Sequence, residues 1–91
     1  MKVKYFAGYR DITKRKEEDI IAPKNIWELI LKLCECYGKV IKDEMLSSDG
    51  LSLTDDIVIL LNGRNICHLD GKDTVLADHD VVSIFPVVAG G

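Results

Sequence analysis

Between Asn25 and Gly38 the chain carries one apolar stripe at helical spacing, with strand-like segments on either side. Ile26, Leu29, Ile30, Leu33, Cys34 and Tyr37 fall on one face of a 3.6-residue repeat. Asn25 suits the N-cap, and Glu28 three residues later makes a variant of the capping box. Gly38 suits the C′ position, where a positive φ is needed. The pattern predicts one helix of about 12 residues with a buried face. Such a face has to be covered by another element, and the rest of the chain offers strands.

Residues 2–7 alternate, with Val3, Tyr5 and Ala7 on one face and Lys2, Lys4 and Phe6 on the other. Residues 8–16 read as a turn-bearing connection, and residues 18–22 as a second strand ended by Pro23. A short second helix is expected over 40–46, then a loop at Ser47-Ser48-Asp49-Gly50. Ile57–Leu61 is a continuous run of β-branched residues and leucine, as in a strand covered on at least one face. Asn62-Gly63 follows at once, and a type I′ turn needs positive φ at both of its central residues. Residues 64–67 would return, 71–73 and 78–80 would turn, and 81–85 would form the last strand, stopped by Pro86. A sheet with one main helix across it is an α+β architecture.

With 91 residues, 47% of them hydrophobic, the chain is expected to form one domain, 1–91, around a modest core. A net charge of -3 argues against nucleic acid and anionic membranes as partners. The basic run Lys14-Arg15-Lys16 meets Glu17-Glu18-Asp19 directly and reads as a solvated turn. There is no apolar stretch of about 18 residues and no signal-peptide core, which makes the cytoplasm the default location. The three cysteines are read as reduced, small apolar residues, with no zinc spacing and no metal site. Trp27 reads as a packing residue. His68 and His79 are isolated, and Asp55-Asp56 ends a loop, so no side chain is assigned a catalytic role.

The last five residues, Val87-Val88-Ala89-Gly90-Gly91, are apolar or glycine and follow a strand and a proline. A Gly-Gly ending arises by chance in roughly 1 chain in 200. A terminal carboxylate, with a pKa near about 3.5, is an anion at pH 7 and a poor electrophile until activated, for instance as an acyl-adenylate from ATP. Glycine leaves its carbonyl unhindered, and two glycines thread a narrow channel in nearly any conformation. As a flexible tail, residues 87–91 would reach about 17 Å beyond the last strand.

Three segments resemble the MoaD/ThiS family of sulfur carriers, and most closely its MoaD branch. They are Val3-Lys4-Tyr5-Phe6-Ala7, Leu61-Asn62-Gly63, and the block from Asp78-His79-Asp80 through Phe85-Pro86 to Gly90-Gly91. The stretch from Lys39 to Asp56 is longer than in a minimal member. The resemblance implies a ubiquitin-like β-grasp, a mixed sheet with its first and last strands side by side and parallel at the centre. It implies that Gly91, presented by Gly90, is the reacting residue, with no cofactor bound. A ubiquitin-activating-type adenylating enzyme would use ATP to adenylate Gly91, and a sulfur donor protein would convert the adenylate to a thiocarboxylate. The charged tail would then enter the molybdopterin synthase large subunit and give its sulfur to a pterin precursor in molybdenum cofactor biosynthesis.

Face parity adds a docking surface. Ser83 marks the outer face of the last strand, so Phe85 lies outward while Val82 and Ile84 face the core. Next to the first strand, Phe6 and Phe85 would form an exposed apolar patch near the tail. Partner-binding residues are expected to be Phe6, Ile66, Phe85, Pro86, Val87, Val88 and Ala89, with Arg10 and Arg64 at the rim. A protein modifier, or a sulfur carrier for thiolated tRNA or thiamin thiazole, would use the same tail, whereas a pure interaction module would not need it.

Overall fold

A computed structural model describes residues 1–87. In chain order the elements are β1 (Lys2–Tyr5), α1 (Gly8–Thr13), β2 (Glu17–Asp19), α2 (Ile26–Tyr37), α3 (Lys39–Met45), β3 (Ile57–Leu61), β4 (Arg64–Asn65) and β5 (Val81–Pro86). Two single turns of 3-10 helix, Ile66–His68 and Gly71–Asp73, lie between β4 and β5. The sheet order is β2-β1-β5-β3-β4. β1 and β5 are parallel, and every other pair is antiparallel. This is the mixed β-grasp sheet that the resemblance implies.

The predicted helix is α2, with the expected bounds and face. Ile26, Leu29, Ile30 and Leu33 are buried against the inward residues Val3, Tyr5, Ile59, Leu61, Val82 and Ile84. Each such side chain, once buried, contributes roughly 1.5–3 kcal/mol relative to exposure. The Asn25 side chain accepts from the Glu28 amide at 2.9 Å. The Glu28 carboxylate accepts from the Lys24 amide at 3.2 Å, one residue before the usual capping-box donor. Gly38 ends the helix at φ +80, its amide donating to the Cys34 carbonyl.

Several local expectations are corrected. β1 stops at Tyr5, and the connection after it contains α1, which buries Tyr9 and Thr13. Six residues are too few for helical periodicity to register. β2 begins a residue earlier and ends at Asp19, leaving Ile21 83% exposed. The basic run Lys14-Arg15-Lys16 before it is exposed and outside the strands, as expected of a solvated turn. The central residue of β2, Glu18, faces inward and accepts hydrogen bonds from the Tyr5 hydroxyl, at 2.8 Å, and the Tyr37 hydroxyl. The return strand β4 is two residues long. The Asn65 side chain accepts from the Cys67 amide at 2.9 Å, turning the backbone into a 3-10 turn that puts Ile66 in the core. β5 runs through Pro86, which pairs with Ile57 at the end of the ladder. All three cysteines are free, as expected; Cys36 and Cys67 are exposed and Cys34 is half-buried. The extra stretch after Gly38 holds α3, whose Ile41 and Met45 join the core with Leu46. The Tyr9 hydroxyl donates to the Glu44 carbonyl of α3, and burial pushes its pKa up to about 12.

At the far end of β5 the predicted hairpin turn forms, with φ 51 at Asn62 and 86 at Gly63. Asn62 also clamps the turn to β5. Its amide donates to the Val81 carbonyl and its side-chain carbonyl accepts from the Val81 amide, both at 2.8 Å. Its side-chain amide donates to Asp80 at 2.9 Å, and Asp80 also accepts from the Ala77 amide at 2.8 Å. These bonds, the Asn62 amide foremost, favour the ionised Asp80 and hold its carboxyl below the ordinary value. Its stabilising effect is therefore complete above the unfolded-state pKa and is lost as pH falls through the folded-state value. Urea unfolding of wild type and Asp80→Asn between pH 7 and pH 2.5 will show a shallower acid loss in the variant. At pH 7, Asp80→Ala will cost about 1 kcal/mol by removing the acceptor of the part-buried Asn62 and Ala77 donors.

Candidate docking face and tail exit

α2 covers only one side of the sheet; the outer side is left half-exposed. The strand registers order its side chains into three rows. Nearest the tail are Val58, Phe85 and Phe6, with Val58 and Phe85 paired across β3 and β5. The middle row runs Asn65, Leu60, Ser83, Lys4, Glu17, and the last runs Val81, Lys2, Asp19. The face thus passes from apolar at the tail end to charged at the other.

The Phe6 and Phe85 rings stack with centroids 4.2 Å apart and planes 8° from parallel, so the adjacency expected from parity is present. Two features fix Phe6. Its amide donates to the Ile84 carbonyl at 3.2 Å, extending the β1–β5 ladder by one bond. Its carbonyl accepts from the Tyr9 amide at 3.2 Å, closing a tight turn over Phe6-Ala7-Gly8-Tyr9. Ala7 holds φ 51 and ψ -128, the first central position of a type II′ turn, where glycine is favoured. A residue with a Cβ is strained there.

The remaining sequence-predicted residues separate clearly. Pro86 ends β5 on the rim of this face, and Val87 follows, exposed, its amide donating to the Asp56 carbonyl at 2.9 Å. Val88, Ala89, Gly90 and Gly91 lie outside the described residues. Ile66 does not extend the patch: it is only 4% exposed and packs in the core, because the backbone leaves the strand at that residue. Arg10 and Arg64 are exposed, on α1 and β4. Asp55 and Asp56 are exposed beside the tail exit. His79 is exposed, with Nε2 3.8 Å from Asp80. Trp27 packs half-buried, with the Lys72 ammonium 4.7 Å from its ring centroid. Sequence reasoning missed the Asn62–Asp80 clamp, Val58 and Leu60. A strict reading of alternation in Ile57–Leu61 would have placed those two outward, but a continuous apolar run hides its own parity.

A family model for the ThiS family matches residues 3–91. The chain belongs to the ThiS family. This ThiS-family chain is 30% identical to small archaeal modifier protein 3 of Haloferax volcanii, over all of this chain and 98% of that one. A solution structure of small archaeal modifier protein 1 from Methanosarcina acetivorans is similar at a TM-score of 0.83. It shares 34% identity, covering 99% of this chain and 94% of that one. A candidate subunit 1 of a molybdopterin converting factor from Pyrococcus furiosus is similar at 0.75 and 32% identity, over 96% and 95% of the two chains. The domain is accordingly a ubiquitin-like sulfur carrier or modifier. Among the described residues, no helix is long and apolar enough to cross a membrane.

The strained turn gives a direct test of what fixes Phe6. Ala7→Gly will stabilise the domain by about 1 kcal/mol, and Ala7→Val will destabilise it by at least as much, because a β-branched residue tolerates positive φ least. Thermal unfolding of both variants measures this as Tm shifts of opposite sign.

Proposed function

We propose that the Gly91 carboxylate is the reacting group of a small ubiquitin-like modifier that also carries sulfur on the same atom. What carries this reading is the family match, which runs through Gly90 and Gly91, together with the similarity of the whole chain to two small archaeal modifier proteins. The geometry is consistent with it. The body grips the backbone as far as Val87, beside a half-exposed aromatic platform. The four residues that follow reach about 13 Å when extended, a length suited to entering a partner's active site while the domain stays outside.

In the first step a carboxylate oxygen of Gly91 attacks the α-phosphorus of ATP on a ubiquitin-activating-type adenylating enzyme, and pyrophosphate leaves. The acyl-adenylate then meets one of two nucleophiles. A lysine ε-amine of a target protein attacks the Gly91 carbonyl, forms an isopeptide bond, loses a proton and expels AMP. Alternatively, hydrosulfide held by a sulfur donor protein displaces AMP and leaves a thiocarboxylate. Both attacks need an unhindered carbonyl, which glycine provides. The catalytic side chains belong to the enzymes, and this domain supplies the acyl group and the surface by which it is held.

A second reading, the small subunit of molybdopterin synthase, draws on the 32% identity with the candidate converting-factor subunit. There the thiocarboxylate would enter the large subunit and pass its sulfur to a pterin precursor.

Expression of the tagged chain in its source organism, followed by trypsin and mass spectrometry, separates these readings. No lysine or arginine follows Lys72, so a conjugated lysine will carry residues 73–91 as its remnant. Conjugates that vanish on deletion of Gly90 and Gly91 are the expected result. Conjugates that survive the deletion would overturn the assignment of Gly91. A thiocarboxylate in the intact mass, with no conjugates and a co-purified large subunit, would favour the second reading.

A further inference from the structure

β2 lies at the edge of the sheet and pairs on one side only, with β1. The Tyr5 amide donates to the Lys16 carbonyl at 2.9 Å, and the Ile20 amide to the Met1 carbonyl at 2.8 Å. Bonds alternate along an antiparallel ladder, so Lys16, Glu18 and Ile20 turn their backbone groups toward β1. Glu17, Asp19 and Ile21 therefore turn theirs to the open edge. The same three residues are exposed, whereas Glu18 and Ile20 are half-buried. The edge thus carries two carboxylates and an isoleucine on one face. Charges on an edge strand commonly guard it against unwanted pairing. Ile21 is the opposite of a guard, since it is 83% exposed at the end of the row. Nor are the charges balanced. Glu17 takes Lys2 at 3.1 Å, and among the described residues no cation lies within 4.0 Å of Asp19. Past Asp19 the edge opens into a groove lined by Met1, Asp19, Ile20, Ile21 and Asp78. Asp78 accepts from the Ala22 amide at 3.2 Å, and it too has no described cation within 4.0 Å.

We propose that the free edge of β2 binds an extended, basic segment of a partner protein, with a β-branched residue followed by lysine or arginine at alternate positions. The segment adds as an antiparallel strand, and the backbone of Glu17, Asp19 and Ile21 supplies its hydrogen bonds. Side chains directly opposite across such a pair are the nearest on a face. Two basic residues therefore meet Glu17 and Asp19, and the β-branched one meets Ile21. Asp78 gives the cation opposite Asp19 a second carboxylate. A second copy of this chain does not fit. Two β2 edges paired about Glu18 set Glu17 against Asp19 twice, and pairing about Asp19 sets that residue against itself. Both are like-charge contacts. The net charge of -3 favours a basic partner for the same reason. The edge is two strands away from β5, from which the tail leaves, and the proposal does not rest on the activation reading.

The test is amide NMR of the whole chain titrated with synthetic peptides. The probe is acetyl-Ser-Val-Thr-Lys-Thr-Lys-Thr-amide, which sets its valine opposite Ile21 and its lysines opposite Asp19 and Glu17. It will shift the amides of Glu17, Asp19 and Ile21 and slow their hydrogen exchange about threefold or more. A scrambled peptide with its two lysines adjacent will bind about tenfold more weakly. So will the probe N-methylated at its valine and both lysines, which keeps every charge but cannot donate to the edge. Asp19→Asn will weaken binding of the probe about three- to tenfold at low salt, with a spectrum that shows the fold retained. Equal binding of the scrambled or the N-methylated peptide overturns the proposal and leaves only a diffuse attraction between charges. Unchanged binding to Asp19→Asn overturns it, and so does the absence of any shift at about 1 mM probe. Protection of the same three amides without peptide, rising with protein concentration, overturns it in favour of self-pairing. In each case the activation reading stands.

Discussion

The parallel pairing of β1 with β5 is the constraint on which the rest of the structure depends. It joins the first and last strands at the centre of the sheet, so Val3, Tyr5, Val82 and Ile84 form one continuous inner surface for α2. The same register sets Phe6 beside Phe85 on the opposite side. Core and platform are thus two faces of one alignment. A slip of one residue would send the core set outward and the phenylalanines inward. The register is pinned at both ends. The Lys2 amide donates to the Asp80 carbonyl at 3.0 Å at its start, and the Phe6 amide donates to the Ile84 carbonyl at 3.2 Å at its finish.

Around this pair the protein divides its work. The inner side is dry and close-packed by α2, α3 and the 3-10 turn at Ile66. Its polar groups are paired: Tyr5 and Tyr37 share the Glu18 carboxylate, and Tyr9 ties α1 to α3. The outer side is left without a covering layer, and its apolar row lies where the tail departs. Under the proposed function, with the reacting atom on the tail, that is the economical arrangement. The chemistry can be supplied by partners, and the body has only to be held at a fixed distance and angle. The strained Ala7 fits the same account, since it turns the chain immediately after Phe6 and so places that ring at the edge of the platform.

Local signals with short range were legible in the sequence. The helix from Asn25 to Gly38 was, because a stripe, a cap and a positive-φ glycine agree over twelve residues. So was the Asn62-Gly63 turn, since few dipeptides accept two positive φ angles. Parity in β1 and β5 placed Phe6 and Phe85 on the outer face because a single lysine or serine is enough to mark one face of a strand. α1 was not legible, because six residues hold too little of a helical repeat. Nor was the burial of Ile66, which a side-chain cap at Asn65 decides. Glu18 read as one more charge in a charged run until Tyr37, nineteen residues away, came to meet it.

By itself the sequence determined the kinds of element, the helix that must be covered, the residues able to face it, and a Gly-Gly ending suited to acyl chemistry. These follow from propensity, periodicity and the absence of a Cβ, which are properties of neighbouring residues. Only the tertiary structure decided which charges are spent on each other. Glu17 could have served either Lys2 or Lys4, and the strand register allows both. In the folded protein Glu17 pairs diagonally with Lys2 at 3.1 Å, and among the described residues no carboxylate lies within 4.0 Å of the Lys4 ammonium. Contacts between residues far apart in sequence are chosen by the folded surface, and no local pattern encodes that choice.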